Sequence, residues 1–146
     1  MAVTWNLTID CAQPARLAEF WALALGYEPA SPPGGFATWR DWLEQFGVPE
    51  EEADDLAVIA DPDGNEPNLA FLKVPEAKAV KNRLHLDLHV GGGREATPYE
   101  VRWQRVTETV QRLTAAGATK IAEVSDGGPP DHVLMADPEG NEFDVL

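Results

Sequence analysis

The chain repeats itself. Asp61-Pro-Asp-Gly-Asn-Glu66 returns as Asp137-Pro-Glu-Gly-Asn-Glu142. Each hexapeptide is a turn by residue type: aspartate and asparagine bond to nearby backbone, proline presets φ and glycine takes the left-handed step. Each lies between an apolar run and a short final run. Upstream of each is a helical pattern closed by glycine, and upstream of that an alternating stretch. The order β-α-β-β-β therefore occurs twice, and self-similarity on this scale points to duplicated modules. The expected fold class is α+β: two tandem βαβββ modules forming a half-open barrel with one shared concave cleft, helices on the outside. Residues 1–75 form the first module, with a helical insertion at about 37–55, and residues 76–146 the second, together one domain.

Hydrophobic spacing supplies the elements. From Val3 to Cys11, Trp5, Leu7, Ile9 and Cys11 share one face of a strand, with Thr4, Asn6, Thr8 and Asp10 on the other. Pro14 opens a helix carrying Leu17, Phe20, Trp21 and Leu25, and Gly26 closes it. Tyr27 to Ala30 is a short strand and Ser31 to Gly35 a loop. Trp39, Trp42, Leu43 and Phe46 have the spacing of an amphipathic helix. Leu56–Ala60 and Asn68–Val74 pair as a hairpin across the first repeated turn. In the second module Arg83 to Val90 alternates strictly, with Leu84, Leu86, Leu88 and Val90 against His85, Asp87 and His89. Residues 94–103 are an irregular or partly helical approach to a helix marked by Val106, Val110 and Leu113 and closed by Gly117. Lys120–Val124, His132–Ala136 and Phe143–Leu146 are the last strands.

Charge and cysteine content narrow the function classes. Lys plus Arg total 11 and Asp plus Glu 25, a formal charge of −14. Such a chain repels phosphate backbones and anionic lipid, so neither nucleic acid nor membrane is expected as a partner. A single cysteine, Cys11, forms no intramolecular disulfide and suits a reducing compartment. The N-terminus lacks a basic-then-apolar leader pattern and no apolar run approaches the roughly 20 residues of a membrane span, so a cytoplasmic protein is expected.

The polar face of Arg83–Val90 carries the candidate chemistry. Two imidazoles around a carboxylate are metal-ligand and acid–base residue types. His89 is the candidate general base, with Asp87 orienting a neighbouring imidazole; the plainer reading is a solvated histidine. Alternate Cβ atoms on a strand lie about 6.5–7 Å apart, long for His85, Asp87 and His89 to share one ion. The duplication aligns His85 with Thr4, Asp87 with Asn6 and His89 with Thr8, so these polar faces line the common concavity. Trp39 and Trp42, with Phe46, are either an aromatic lid or sheet-packing residues. Arg83 is either a holder of an anionic group or the partner of a surface acid. The acidic run Glu50–Asp55 reads as a solvated turn, Cys11 as a buried small hydrophobe, His132 as structural, and Glu66 and Glu142 as turn and rim residues.

Ile9-Asp-Cys11 with Pro14-Ala-Arg-Leu17 and Phe20-Trp21, then Lys81-Asn-Arg-Leu-His-Leu-Asp87, then Asp137-Pro-Glu-Gly-Asn-Glu-Phe143, together resemble the vicinal oxygen chelate superfamily. That superfamily holds glyoxalase I, bleomycin-resistance proteins and extradiol dioxygenases, and the likeness is to its glyoxalase-like domain branch. The resemblance implies a divalent metal (Zn, Ni, Mn or Fe) held by one ligand from the first and one from the last strand of each half. The matching positions are Thr4 and Asn68 in the first half and His85 and Asp144 in the second. Only the last two are good ligands, so the implied metal site is incomplete and no cofactor is certain. Two classes of function stay open. One is a protein that binds a small organic molecule in the cleft without a complete metal site, through Thr4, Asn6, Thr8, Trp39, Trp42, Asn68 and Arg83. The alternative is a metal-dependent enzyme, a glyoxalase I-like lyase or isomerase or an extradiol-type dioxygenase, whose ion acts as a Lewis acid on vicinal oxygens. Ligand count favours the first, or an atypical enzyme. Homodimers are common among the proteins it resembles, which makes a second copy of the chain a candidate partner, though nothing in the sequence independently shows one.

Overall fold

The computed structural model describes residues 2–65, 67–82 and 84–146. The chain divides into two compact units, Met1–Ala77 and Lys78–Leu146.

The first unit runs β1 (Leu7–Cys11), α1 (Pro14–Leu25), β2 (Glu28–Pro29), α2 (Trp39–Gln45), β3 (Leu56–Ala60) and β4 (Leu69–Lys73). Its open sheet has the order β1-β4-β3-β2, with β1 parallel to β4 and the other pairs antiparallel. Proline at the start of α1 loses no hydrogen bond there, and Gly26 ends the helix at φ 73°, a left-handed turn that costs glycine nothing. Leu17, Phe20 and Trp21 fall on one face of α1 and are buried. They pack on β3 and β4, where Ile59, Leu69 and Phe71 are buried in turn. Cys11 is buried as expected. Thr38 caps α2 by accepting from the Asp41 N–H at 3.1 Å. The acidic run is a short 3-10 turn at Glu50–Glu52, and its ends are paired, Glu50 with Arg40 and Asp55 with Lys73.

The second unit repeats this plan with β5 (Asp87–Leu88), α3 (Tyr99–Ala115), β6 (Thr119–Val124), β7 (His132–Ala136) and β8 (Glu142–Val145), in the order β5-β8-β7-β6. Val106, Val110 and Leu113 of α3 are buried on a sheet whose Val133, Met135, Phe143 and Val145 are also buried. Register supports the duplication residue by residue. Leu7 opposes Leu69 as Leu88 opposes Val145. The residues just before these, Asn6 and Asn68, therefore match Asp87 and Asp144.

The repeated turns close on their own side chains. Asp137 Oδ1 accepts from the N–H groups of Glu139 and Asn141, both at 2.9 Å, and Oδ2 accepts from the Asn141 amide at 2.9 Å. Asp61 does the same more sparsely, toward the Asp63 N–H at 2.9 Å and the Asn65 amide at 2.8 Å. These bonds to the charged form hold the Asp61 carboxyl below its ordinary value of 3.8, the Asn65 amide contributing most and the Asp63 N–H next.

Three expected elements differ in extent. The strand expected over Arg83–Val90 is regular only at Asp87–Leu88, and Leu84, expected on the apolar face, is 75% exposed. Its pairing with β8 covers only Asp87 and Leu88, and beyond them Val90 donates back to the Leu88 carbonyl at 2.9 Å, which turns the chain. The strand expected from Val3 is regular from Leu7, where the ladder to β4 begins, so Trp5 is exposed. The helix α3 starts at Tyr99, directly after Pro98, rather than near Val106. Among the described residues no helix is long and apolar enough to cross a membrane.

Candidate functional site

Strand alternation decides what β8 presents. Phe143 and Val145 are buried on the α3 side, which leaves Glu142 and Asp144 on the other face of the sheet. Asp144 opposes Asp87 across the parallel β5–β8 pair, and its N–H donates to the Leu86 carbonyl at 2.9 Å. His85 lies two residues before Asp87. Its Nε2 is 3.4 Å from Asp87 Oδ1 and 3.6 Å from Asp144 Oδ2. The separation expected between alternate Cβ atoms is thus closed at the side-chain tips.

The segment before β5 is tied to the start of β8. The Asn82 side chain accepts from the Glu142 N–H at 3.3 Å and donates to the Leu84 carbonyl at 3.0 Å. Lys81 pairs with the Glu142 carboxylate. These contacts give Lys81 and Asn82 a local role: they hold the stretch carrying His85 beside the strand carrying Asp144.

The donor set fits a divalent cation. One donor atom from each of His85, Asp87 and Asp144 lies within 4.8 Å of the other two. Donors at about 2.0–2.1 Å from a tetrahedral ion stand about 3.3–3.4 Å apart, close to the two His85 distances. Those distances are long for nitrogen–oxygen hydrogen bonds, so the imidazole does not satisfy the carboxylates directly. Asp144 is 16% exposed at its side chain; Oδ2 is the oxygen nearer His85, and Oδ1 is buried with no hydrogen-bond partner among the described residues. A buried carboxylate oxygen without a donor is costly, and a cation would meet that need.

The remaining candidate residues fall elsewhere. His89 is not a member of the cluster; it follows the last regular residue of β5, at the turn made by Val90, and lines a cavity beside Arg94 and Arg102. Asp87, the candidate partner of a histidine, stands with His85 rather than His89. Thr4, Asn6 and Thr8 are exposed and Asn68 is half-buried, its carbonyl accepting from Leu7 at 3.1 Å. Trp39 and Trp42 are half-buried and meet edge to face at 5.4 Å, and the Trp39 indole donates to the Ala30 carbonyl at 2.6 Å. Phe46 stacks obliquely on Trp42 and is 66% exposed. Arg83 lies outside the described residues. Sequence reasoning missed Arg94 and Arg102; the available signal was two guanidiniums within nine positions of a strongly acidic chain.

Comparison with known proteins agrees with this architecture. A family described as glyoxalase-like domain matches residues 6–146. Among curated proteins none matches the chain. Among solved structures, a glyoxalase/bleomycin resistance protein/dioxygenase family enzyme from Burkholderia phytofirmans PsJN is 16% identical, covers 96% of this chain and 94% of its own, and superposes with a TM-score of 0.58. The fosfomycin resistance protein FosX from Listeria monocytogenes is 10% identical, with coverage of 99% and 92% and a TM-score of 0.62. A mutant of that FosX, at 10% identity, 99% and 89% coverage and a TM-score of 0.61, was crystallised with Mn(II) and 1S,2S-dihydroxypropylphosphonic acid. With the family match spanning nearly the whole sequence and the paired βαβββ fold in place, the chain belongs to the glyoxalase-like domain family of the vicinal oxygen chelate superfamily.

Proposed function

We propose that this protein binds a small oxygen-bearing organic molecule at a divalent cation held by His85, Asp87 and Asp144. The observation that carries the reading is the convergence of one donor atom each from His85, Asp87 and Asp144, beside an Asp144 Oδ1 that has no hydrogen-bond partner among the described residues. One imidazole with two carboxylates is a hard, oxygen-rich set, which favours Mn(II) over softer ions. The Mn(II) in a FosX structure supports the same choice. When bound, such a cation supplies Lewis-acid polarisation of neighbouring substrate oxygens. The chain's own part is to hold the donors. Asp87 and Asp144 fix two carboxylates across adjacent strands, His85 closes the third side, and Asn82 steadies the segment that carries it. Thr4, Asn6, Thr8, Trp39, Trp42, Asn68 and Arg83 stay proposed as contacts to the organic ligand, and His89 as a proton acceptor.

The site uses Asp87 where the family pattern would draw on the first half. Three donors suffice for binding and leave positions for substrate. The test is Mn(II) titration of chelator-stripped whole protein by electron paramagnetic resonance. One tight site is expected, weakened by about 10–100-fold in His85→Ala and in Asp144→Asn, as loss of one ligand from three requires. Absence of a stoichiometric site for Mn(II), Zn(II), Ni(II) or Fe(II) would overturn the metal reading and leave metal-free binding of a small molecule.

A further inference from the structure

A cavity of about 380 Å³ opens in the second unit, lined by His89, Gly91, Arg94, Glu95, Arg102 and Leu146 among others. It shares no lining residue with the His85 cluster. Acidic residues outnumber basic ones 25 to 11, yet two guanidiniums and an imidazole meet here.

Arg102 is the residue in need. It stands in the first turn of α3, and its side chain is 13% exposed. Its Nε is buried and has no hydrogen-bond partner among the described residues. The carboxylate nearest to it, Asp131 Oδ1, is 3.9 Å from Nη1, too far for a hydrogen bond. Asp131 is already engaged: its other oxygen pairs with Arg94 and lies 3.4 Å from His132 Nδ1. The Arg102 guanidinium instead approaches the Tyr99 ring, 5.9 Å from its centroid. A guanidinium has five donors in a planar fork shaped for a carboxylate, and here the Asp131 ion pair is long and Nε is left without an acceptor among the described residues.

We propose that this cavity binds a small organic monocarboxylate, its head on Arg102 and its short apolar tail in the remainder of the cavity. Arg94, which is paired with Asp131, and the His89 ring also line the cavity and offer further polar contacts. Glu95, another lining residue, repels a second negative charge, so a monoanion is preferred to a phosphate dianion. The assignment is independent of the metal reading, because a carboxylate here needs no cation.

Butyrate is the probe, titrated into the whole chain in EDTA so that no bound cation can hold the carboxylate. The readouts are calorimetry and the Arg102 Nε–H resonance. Six non-hydrogen atoms support a Kd on the order of 1–10 mM. The Arg102 resonance should shift saturably at that concentration, butyrate should bind about tenfold more tightly than 1-butanol, and inorganic phosphate should bind no more tightly than butyrate. Arg102→Met should weaken butyrate by about tenfold or more, and Arg102→Lys, which keeps the charge but loses the fork, by less. The lysine variant and the wild-type resonance keep the test decisive if the methionine variant does not fold. No saturation by about 100 mM, an unmoved Arg102 signal or tighter binding of phosphate would each overturn the proposal.

Discussion

At the scale of single residues, the two copies of one turn make a controlled comparison. Asp137 is 4% exposed and accepts from two backbone N–H groups and an amide, whereas Asp61 is more open and has fewer partners. Asp137→Ala strips the acceptor from two half-buried N–H groups and should cost about 1–3 kcal/mol in denaturant unfolding. Asp61→Ala should cost clearly less, because water reaches the groups it leaves. Asp61 also sets a pH dependence. Its folded carboxyl is held below 3.8, so its contribution is fully present above that value and lost as pH falls through the lower folded value. The stability gap between wild type and Asp61→Asn should therefore be constant from neutral pH down to about 5 and close below 3.8. A gap that widened on acidification would refute the bonding pattern.

At the scale of elements, the prediction concerns β8, which serves two faces at once. Phe143 is 0% exposed under α3, while Asp144 one residue on belongs to the donor cluster. Phe143→Ala should cost about 3–5 kcal/mol through the cavity it leaves. If the mutant folds, its cation affinity should fall only modestly, since the Asp87–Asp144 pairing is made by backbone. The elements that were legible in the sequence are those whose signal is local. Leu17, Phe20 and Trp21 between Pro14 and Gly26 define α1 without help from the rest of the chain. Leu56–Ala60 and His132–Ala136 read as strands because their apolar runs end at proline-glycine turns. Less legible was the true extent of β5. Alternation from Arg83 to Val90 is a statement about faces, but a strand lasts only as long as its partner, and β8 pairs with just Asp87 and Leu88. The same limit hid the site. Sequence spacing kept His85 and Asp87 apart by a strand repeat, whereas side-chain reach brings Nε2 and Oδ1 to 3.4 Å. His89, equivalent by alternation, leaves the row where the Val90 N–H bonds back to Leu88.

At the scale of the whole molecule, duplication and charge act on the same question, which is how a cation would be held. The repeat is carried by Asp61–Asn65 and Asp137–Asn141 and by matched strand registers, and this is why the fold was readable from one sequence. Its chemistry is not duplicated: Asn6 and Asn68 stand where the second unit has Asp87 and Asp144, so the carboxylate pair at these matched positions occurs in one copy alone. The chain as a whole carries a net charge of −14, a negative field that gathers cations without specific ligands. Such gathering is screened over about 8 Å at physiological salt, whereas direct coordination by three side chains is screened far less. Mn(II) binding to the whole chain should therefore separate into two classes. At about 10 mM salt several weak equivalents should accompany one tighter equivalent, and at about 200 mM salt the weak class should vanish while the tight one survives. In His85→Ala the weak class should be unchanged at low salt, because the net charge at neutral pH hardly alters, and nothing should survive at high salt. Complete loss of Mn(II) from wild type at high salt would reduce the cluster to one acidic patch among many.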